Sequence, residues 1–179
     1  MSERVEHGGD VTAGAETLLP ASRERVWQFL LDIPPSTRCL PGVHDVVQVG
    51  ERTFRGSVRF RAGFVQFAFD ATVELTELIP PERIRLTALA TDPLTRETVT
   101  AHAVAELRDD GERTAIRYTL TVSSPGLFGS LGRRMLEEVN RRMIDAFFRC
   151  VERTLLSEQP VETHECTRAP RAAGKGVST

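Results

Sequence analysis

Residues 65 to 76, Val65-Gln66-Phe67-Ala68-Phe69-Asp70-Ala71-Thr72-Val73-Glu74-Leu75-Thr76, switch character at every step. A period of two is the signature of a half-buried strand, so Val65, Phe67, Phe69, Ala71, Val73 and Leu75 share one face. The same period runs outward in both directions. Upstream, beyond an Ala62-Gly63 turn, Phe54, Val58 and Phe60 alternate with Arg55, Ser57, Arg59 and Arg61, and Gly50-Glu51-Arg52 separates them from Val43 to Val49. Downstream, after the corner Ile79-Pro80-Pro81-Glu82, one inward face continues through Ile84, Leu86, Ala88 and Ala90. It passes to Val99, Ala101, Ala103, Ala105 and Leu107 after Asp92-Pro93. Asp109-Asp110-Gly111 is a turn, and Ile116, Tyr118, Leu120 and Val122 form the last inward row. Connections of hairpin length between six consecutive strands predict an antiparallel meander, because parallel pairing would need long crossovers.

The flanks read differently. Val11 to Leu19 predicts a first strand ended by Pro20. Ser22 then stands where an N-cap belongs, ahead of Val26, Trp27, Phe29, Leu30 and Leu31. Asp32-Ile33-Pro34-Pro35 breaks that helix, Pro35 opens a second short one, and Pro41-Gly42 closes it. Pro125-Gly126 ends the strands, and from about Leu127 to Ser157 the period becomes helical. Met135, Leu136, Val139, Met143, Phe147, Cys150 and Val151 fall on one side, with Arg134, Glu138, Arg141, Asp145, Arg149 and Glu152 on the other. The predicted helix is about 40 Å long. From Glu158 the chain carries almost nothing apolar and reads as a disordered tail. The expected layout is a flexible start at 1–10, one ligand-binding domain at 11–157 and a disordered tail at 158–179.

At 179 residues, 40% hydrophobic and 27% charged, the chain reads as an ordinary globular protein large enough for its own core. Its 23 basic and 25 acidic residues leave a net charge of −2, which excludes the basic footprint of a nucleic-acid binder. All the basic residues except Lys175 are arginine, as a GC-rich genome would favour. Met1 to Asp10 lacks the apolar segment of a secretory signal, and no stretch approaches the ~18 apolar residues of a spanning helix, so a cytoplasmic location is expected by default.

One strand, two small helices, six strands and one long helix make an α+β arrangement that resembles the START-like helix-grip (SRPBCC) superfamily. Within it, Pro20-Ala21-Ser22-Arg23-Glu24-Arg25-Val26-Trp27 and Arg38-Cys39-Leu40-Pro41-Gly42 resemble the CoxG family of carbon monoxide dehydrogenase. Proline-alanine before a helix carrying Val-Trp is shared widely across the superfamily. Cys-aliphatic-Pro-Gly is more selective. The resemblance covers about Val11 to Leu156. It implies a curved antiparallel sheet of about seven strands wrapped around a long C-terminal helix, with a cavity between them for a hydrophobic small molecule. It also implies an accessory protein of a molybdenum hydroxylase that holds a quinone or lipid, requires no other cofactor and brings the enzyme to the membrane. Glu158 to Thr179 offers no apolar anchor, which counts against membrane association here and leaves at most a peripheral place at the inner face.

The residues support a cavity on their own account. Ala88, Ala90, Ala101, Ala103 and Ala105 are small, whereas Phe60, Phe67, Phe69, Met135, Met143 and Phe147 are bulky or adaptable. With Leu120, Val139, Tyr118 and Asn140 they form the predicted lining, set against the alternative that the helix packs down onto the alanines. Asn140, the sole asparagine, and Tyr118, the sole tyrosine, point inward and need partners. These could be a ligand's carbonyl or hydroxyl, each other, or nearby backbone.

No catalytic constellation emerges, so a non-catalytic binder is expected. A cyclase or hydrolase working in the same cavity, and a protein-interaction module, are the alternatives. Cys39 and Cys150 read as buried apolar residues, and with Cys166 they are too few and too scattered for a disulfide framework or a metal site. His164-Glu165-Cys166 in the tail does not make a site either. His102 alternates outward, and His44 is placed at the cavity mouth. Arg133-Arg134 and Arg141-Arg142, with Glu137-Glu138 between them, predict a solvated ladder of helical ion pairs.

Overall fold

The computed structural model describes residues 10–124, 126 and 132–157. Seven strands form one antiparallel sheet: β1 (Asp10–Leu19), β2 (Val43–Gln48), β3 (Thr53–Ala62), β4 (Val65–Ile79), β5 (Arg83–Thr91), β6 (Thr98–Asp110) and β7 (Arg113–Ser123). Two short helices, α1 (Arg23–Leu31) and α2 (Ile33–Arg38), lie between β1 and β2, and the long α3 (Arg133–Ser157) follows the sheet. The strand order is β1-β7-β6-β5-β4-β3-β2, so the meander runs from β2 to β7 and β1 returns to pair with β7. The curved sheet grips α3, as the resemblance implies.

The alternation in residues 65 to 76 is borne out in detail. Phe67, Phe69, Ala71 and Leu75 are buried, while Gln66, Ala68, Asp70 and Glu74 are exposed. Val65 is the exception at 48% exposure, because it stands at the hairpin tip where the sheet has run past its cover. At the helix boundaries the differences are small. Ser22 occupies the N-cap of α1 in an extended conformation without a side-chain cap bond, and α2 begins at Ile33 with its prolines in the first turn. Residues 127–131 of the predicted long helix, and the predicted flexible start and tail, lie outside the described residues except for Asp10, which opens β1.

The motif beginning Pro20-Ala21 has a clear structural task. Thr114 Oγ1, fully buried, donates to the Ala21 carbonyl at 2.8 Å. An Arg25 guanidinium nitrogen donates to the Leu155 carbonyl at 3.0 Å, a cation on the last turn of α3 where the helix dipole favours one. Val26, Trp27 and Phe29 pack with Leu19, Leu107, Ile116, Val151 and Leu155 into one buried cluster at this end. A second cluster, Val11, Ala62, Phe67, Phe69 and Leu136, holds the start of α3 at the opposite end. Helix α3 lies along β1 and is secured at both ends.

The outer face of α3 carries the expected ladder. Arg133 donates to Glu137 at 3.0 Å, and Glu138 accepts from both Arg141 and Arg142. The Arg142 bond, foremost, holds the exposed Glu138 carboxyl below the usual carboxylate range. Exposed pairs of this kind stabilise a helix by only a few tenths of a kcal/mol, about 0.2–0.5 each.

Candidate functional site: a cavity between sheet and helix

Between the two buried clusters the sheet and α3 stand apart, and the space is a cavity of about 470 Å³. That is within the size range of small-molecule sites, roughly 300–1,000 Å³. Ala88, Ala90, Ala101, Ala103 and Ala105 of β5 and β6 line its floor, and Val139, Asn140, Met143, Ile144 and Phe147 of α3 line its roof. The alanines therefore leave space; the helix does not pack down onto them. The wall is almost entirely apolar.

Of the residues read from sequence as lining, Phe60, Phe69, Ala88, Ala101, Ala103, Tyr118, Leu120, Val139, Asn140, Met143 and Phe147 border this space. Two do not. Phe67 stacks on Phe60 with ring centroids 5.0 Å apart and is absorbed into the end cluster near the β3–β4 tip. Met135 is 39% exposed, because its neighbour Leu136 takes the inward position on the first turn of α3. His44 is exposed and outside the lining, so its predicted place at the mouth is corrected. His102 is on the surface as expected, its Nδ1 3.1 Å from Thr87 Oγ1.

Sequence reading missed one whole wall. Leu30 of α1, Ile33, Ser36 and Thr37 of α2, and Leu40, Val43 and Val46 beyond it all line the cavity. The two short helices read as an interruption between strands, when they are a side of the container. The signal available was the apolar run Leu30, Leu31, Ile33 and Leu40 on helices too short to bury it among themselves.

The polar groups facing the cavity have distinct states. Ser36 Oγ and Thr37 Oγ1 both donate back to the Ile33 carbonyl, at 3.2 and 2.8 Å, and are satisfied. Asn140 is 6% exposed, and its Nδ2 has no hydrogen-bond partner. Tyr118 stacks on Phe148 at 4.6 Å, two turns along α3 from Asn140. The pair therefore do not satisfy each other. Burial, and next the Asp145 carboxylate, push the Tyr118 phenol above its ordinary value, so it stays a neutral donor well past neutral pH.

An unpartnered buried amide is costly, which gives a test independent of any ligand. Asn140→Leu keeps the side-chain volume and removes the orphaned donor, and is expected to raise the stability of the empty protein by about 1 kcal/mol. A urea midpoint that falls would mean the amide is satisfied in solution.

The cysteines require a correction. Read from sequence as separate core residues, Cys39 and Cys150 are joined in a disulfide, with Cα atoms 5.3 Å apart and 111 residues between them along the chain. Cys39 ends α2 and Cys150 lies on α3, and both belong to or pack on the cluster around Trp27.

The fold recurs in solved proteins. A conserved protein from Geobacillus kaustophilus superposes with a TM-score of 0.75 at 24% identity, over 82% of this chain and 96% of its own. A START superfamily protein from Mycobacterium smegmatis gives 0.61 at 11% identity, over 82% and 97%. The ZhuI aromatase/cyclase from Streptomyces sp. R1128 gives 0.60 at 18%, over 81% and 93%. No curated protein matches the chain. The family model of CoxG, a subunit of carbon monoxide dehydrogenase, matches residues 16–156, a span holding both the Arg25–Leu155 anchor and nearly all of the cavity wall, and the chain belongs to that family.

Proposed function

We propose that this protein is a non-catalytic carrier that holds a lipid-like or quinone-like molecule between its sheet and α3. In this reading it serves as accessory protein to a carbon monoxide dehydrogenase-type molybdenum hydroxylase. The observation that carries it is the apolar cavity with one buried, unpartnered amide, Asn140, facing it. Such a wall excludes polar metabolites by desolvation, and a single donor orients an apolar molecule bearing a carbonyl. Membership of the CoxG family supports the partner enzyme.

The chemistry of the wall favours carrying over catalysis. Among the described lining residues there is no Asp, Glu, His or Cys, so no side chain there can accept a proton near neutral pH. Tyr118 can donate a hydrogen bond, and with its phenol pushed upward it is a poor base.

Native mass spectrometry of protein purified without detergent tests the reading directly. The expected result is a reproducible bound mass that organic solvent extracts. A protein that is always empty, and that also fails to take up added decylubiquinone or phospholipid, would overturn it. With decylubiquinone as probe, Asn140→Leu is expected to weaken binding about tenfold, the worth of one hydrogen bond to a carbonyl. Co-purification of a hydroxylase with the tagged protein tests the partner.

A further inference from the structure

We propose that the Cys39–Cys150 disulfide is a redox-operated latch on the cavity wall: oxidised, it holds α2 against α3, and reduced, it lets that wall part and speeds exchange of the bound molecule. The exchange step rests on the carrier reading above; the opening of the wall does not.

The bond sits where the two sides of the container meet. Leu40 directly follows Cys39, Phe147 lies one turn before Cys150, and both border the cavity. Helix α2 has six residues, two of them proline in its first turn, and a helix so short does not hold itself. Its side-chain hydroxyls bond only to its own first turn, at the Ile33 and Pro34 carbonyls. Among the described residues no hydrogen bond or ion pair joins α2 to α3, so the disulfide is the strong tie between these walls.

Its two ends differ in access. Cys39 is 5% exposed, and Cys150 is half-buried. A reductant therefore reaches the Cys150 sulfur. A dithiol's thiolate attacks Cys150 Sγ, and Cys39 leaves as a thiolate and takes up a proton. The dithiol's second sulfur then displaces Cys150 and becomes part of a cyclic disulfide. Two electrons and two protons pass from the dithiol to the protein, and a low-molecular-weight disulfide such as oxidised glutathione reverses the change. Where thiol reductants prevail, the disulfides that form are of this reversible kind.

The experiment compares full-length protein treated with oxidised glutathione and with dithiothreitol. The oxidised form is expected to be about 2 Da lighter by intact mass, the two hydrogens of the dithiol state. Hydrogen exchange across residues 33–40 is expected to be about tenfold faster in the reduced form. Decylubiquinone loaded into either form should leave for phosphatidylcholine vesicles about tenfold faster from the reduced one. Cys150→Ser should behave as the reduced form in both assays and ignore dithiothreitol. If that variant does not fold, the reduced wild type carries the comparison alone. Two free thiols in the glutathione-treated protein, or equal hydrogen exchange in both states, would overturn the latch. Faster hydrogen exchange with unchanged release would overturn its control of the cavity. If decylubiquinone binds neither form, the carrier reading is what fails, and hydrogen exchange still decides the latch.

Discussion

Gly42→Ala is expected to cost more than about 3 kcal/mol and to leave little folded protein at 37 °C. Gly42 has φ +79°, and a Cβ placed on it would stand 2.0 Å from the Arg59 carbonyl oxygen. The left-handed conformation alone costs an L residue about 1–2 kcal/mol. The collision is with backbone, which has no rotamer to yield. That stretch of β3 is also bound to the corner, since Arg59 N–H donates to the Gly42 carbonyl at 2.8 Å. Relief of the clash thus breaks the junction at which α2 turns into β2 and the cavity gains one wall. Gly111→Ala is the control, because φ is +68° there but nothing lies within 4 Å of the added methyl. It should cost about 1 kcal/mol. Equal urea midpoints for the two variants would refute the steric account.

Ala103→Phe is expected to abolish uptake of decylubiquinone, by more than about a hundredfold, while leaving the protein as stable as before or more so. Ala103 lies in the middle of β6, opposite Leu86 on one side and Leu120 on the other, and all three border the cavity. A benzyl group added to a close-packed core forces strain of about 1–3 kcal/mol. Entering a space of about 470 Å³ lined by apolar atoms, the ring instead gains burial. The sign of the shift in Tm therefore separates an open cavity from a collapsed one, and the titration reports occupancy separately. A variant that lost stability while retaining the ligand would contradict both halves of the prediction.

What the sequence disclosed follows from which contacts are local. Alternation fixed β3 to β7 nearly residue by residue, because a strand with one buried face declares itself within a dozen residues. The alanines of β5 and β6 pointed to a cavity for the same reason. Adjacent apolar positions on a helix are harder: Met135 and Leu136 share the apolar side of a helical wheel, and only the docking of α3 decides which one turns inward. Phe67 was misplaced because alternation assigns a face but not a position along the cavity, and the end of a sheet closes on its own aromatics. The wall built from α1 and α2 was not legible, since nothing local says where a short helix comes to rest. Cys39 and Cys150 lie 111 residues apart, and their pairing exists only once α2 and α3 have converged.

The return of β1 to the far edge of the sheet sets the order in which a nascent chain can complete itself. Asp10 pairs with Ser123 and Leu19 with Thr114, and α3 lies along β1, so the first strand synthesised has no partner until the last strand has been made. Arg25 likewise waits for the carbonyl of Leu155. While the ribosome is still delivering the meander, the N-terminal segment is an unsatisfied strand with an apolar face, the kind of intermediate that chaperones hold. Closure of the sheet, burial of Trp27 and enclosure of the cavity become late events that require the C-terminal helix to have left the exit tunnel. A carrier assembled in this way has no container until its final turn of helix arrives.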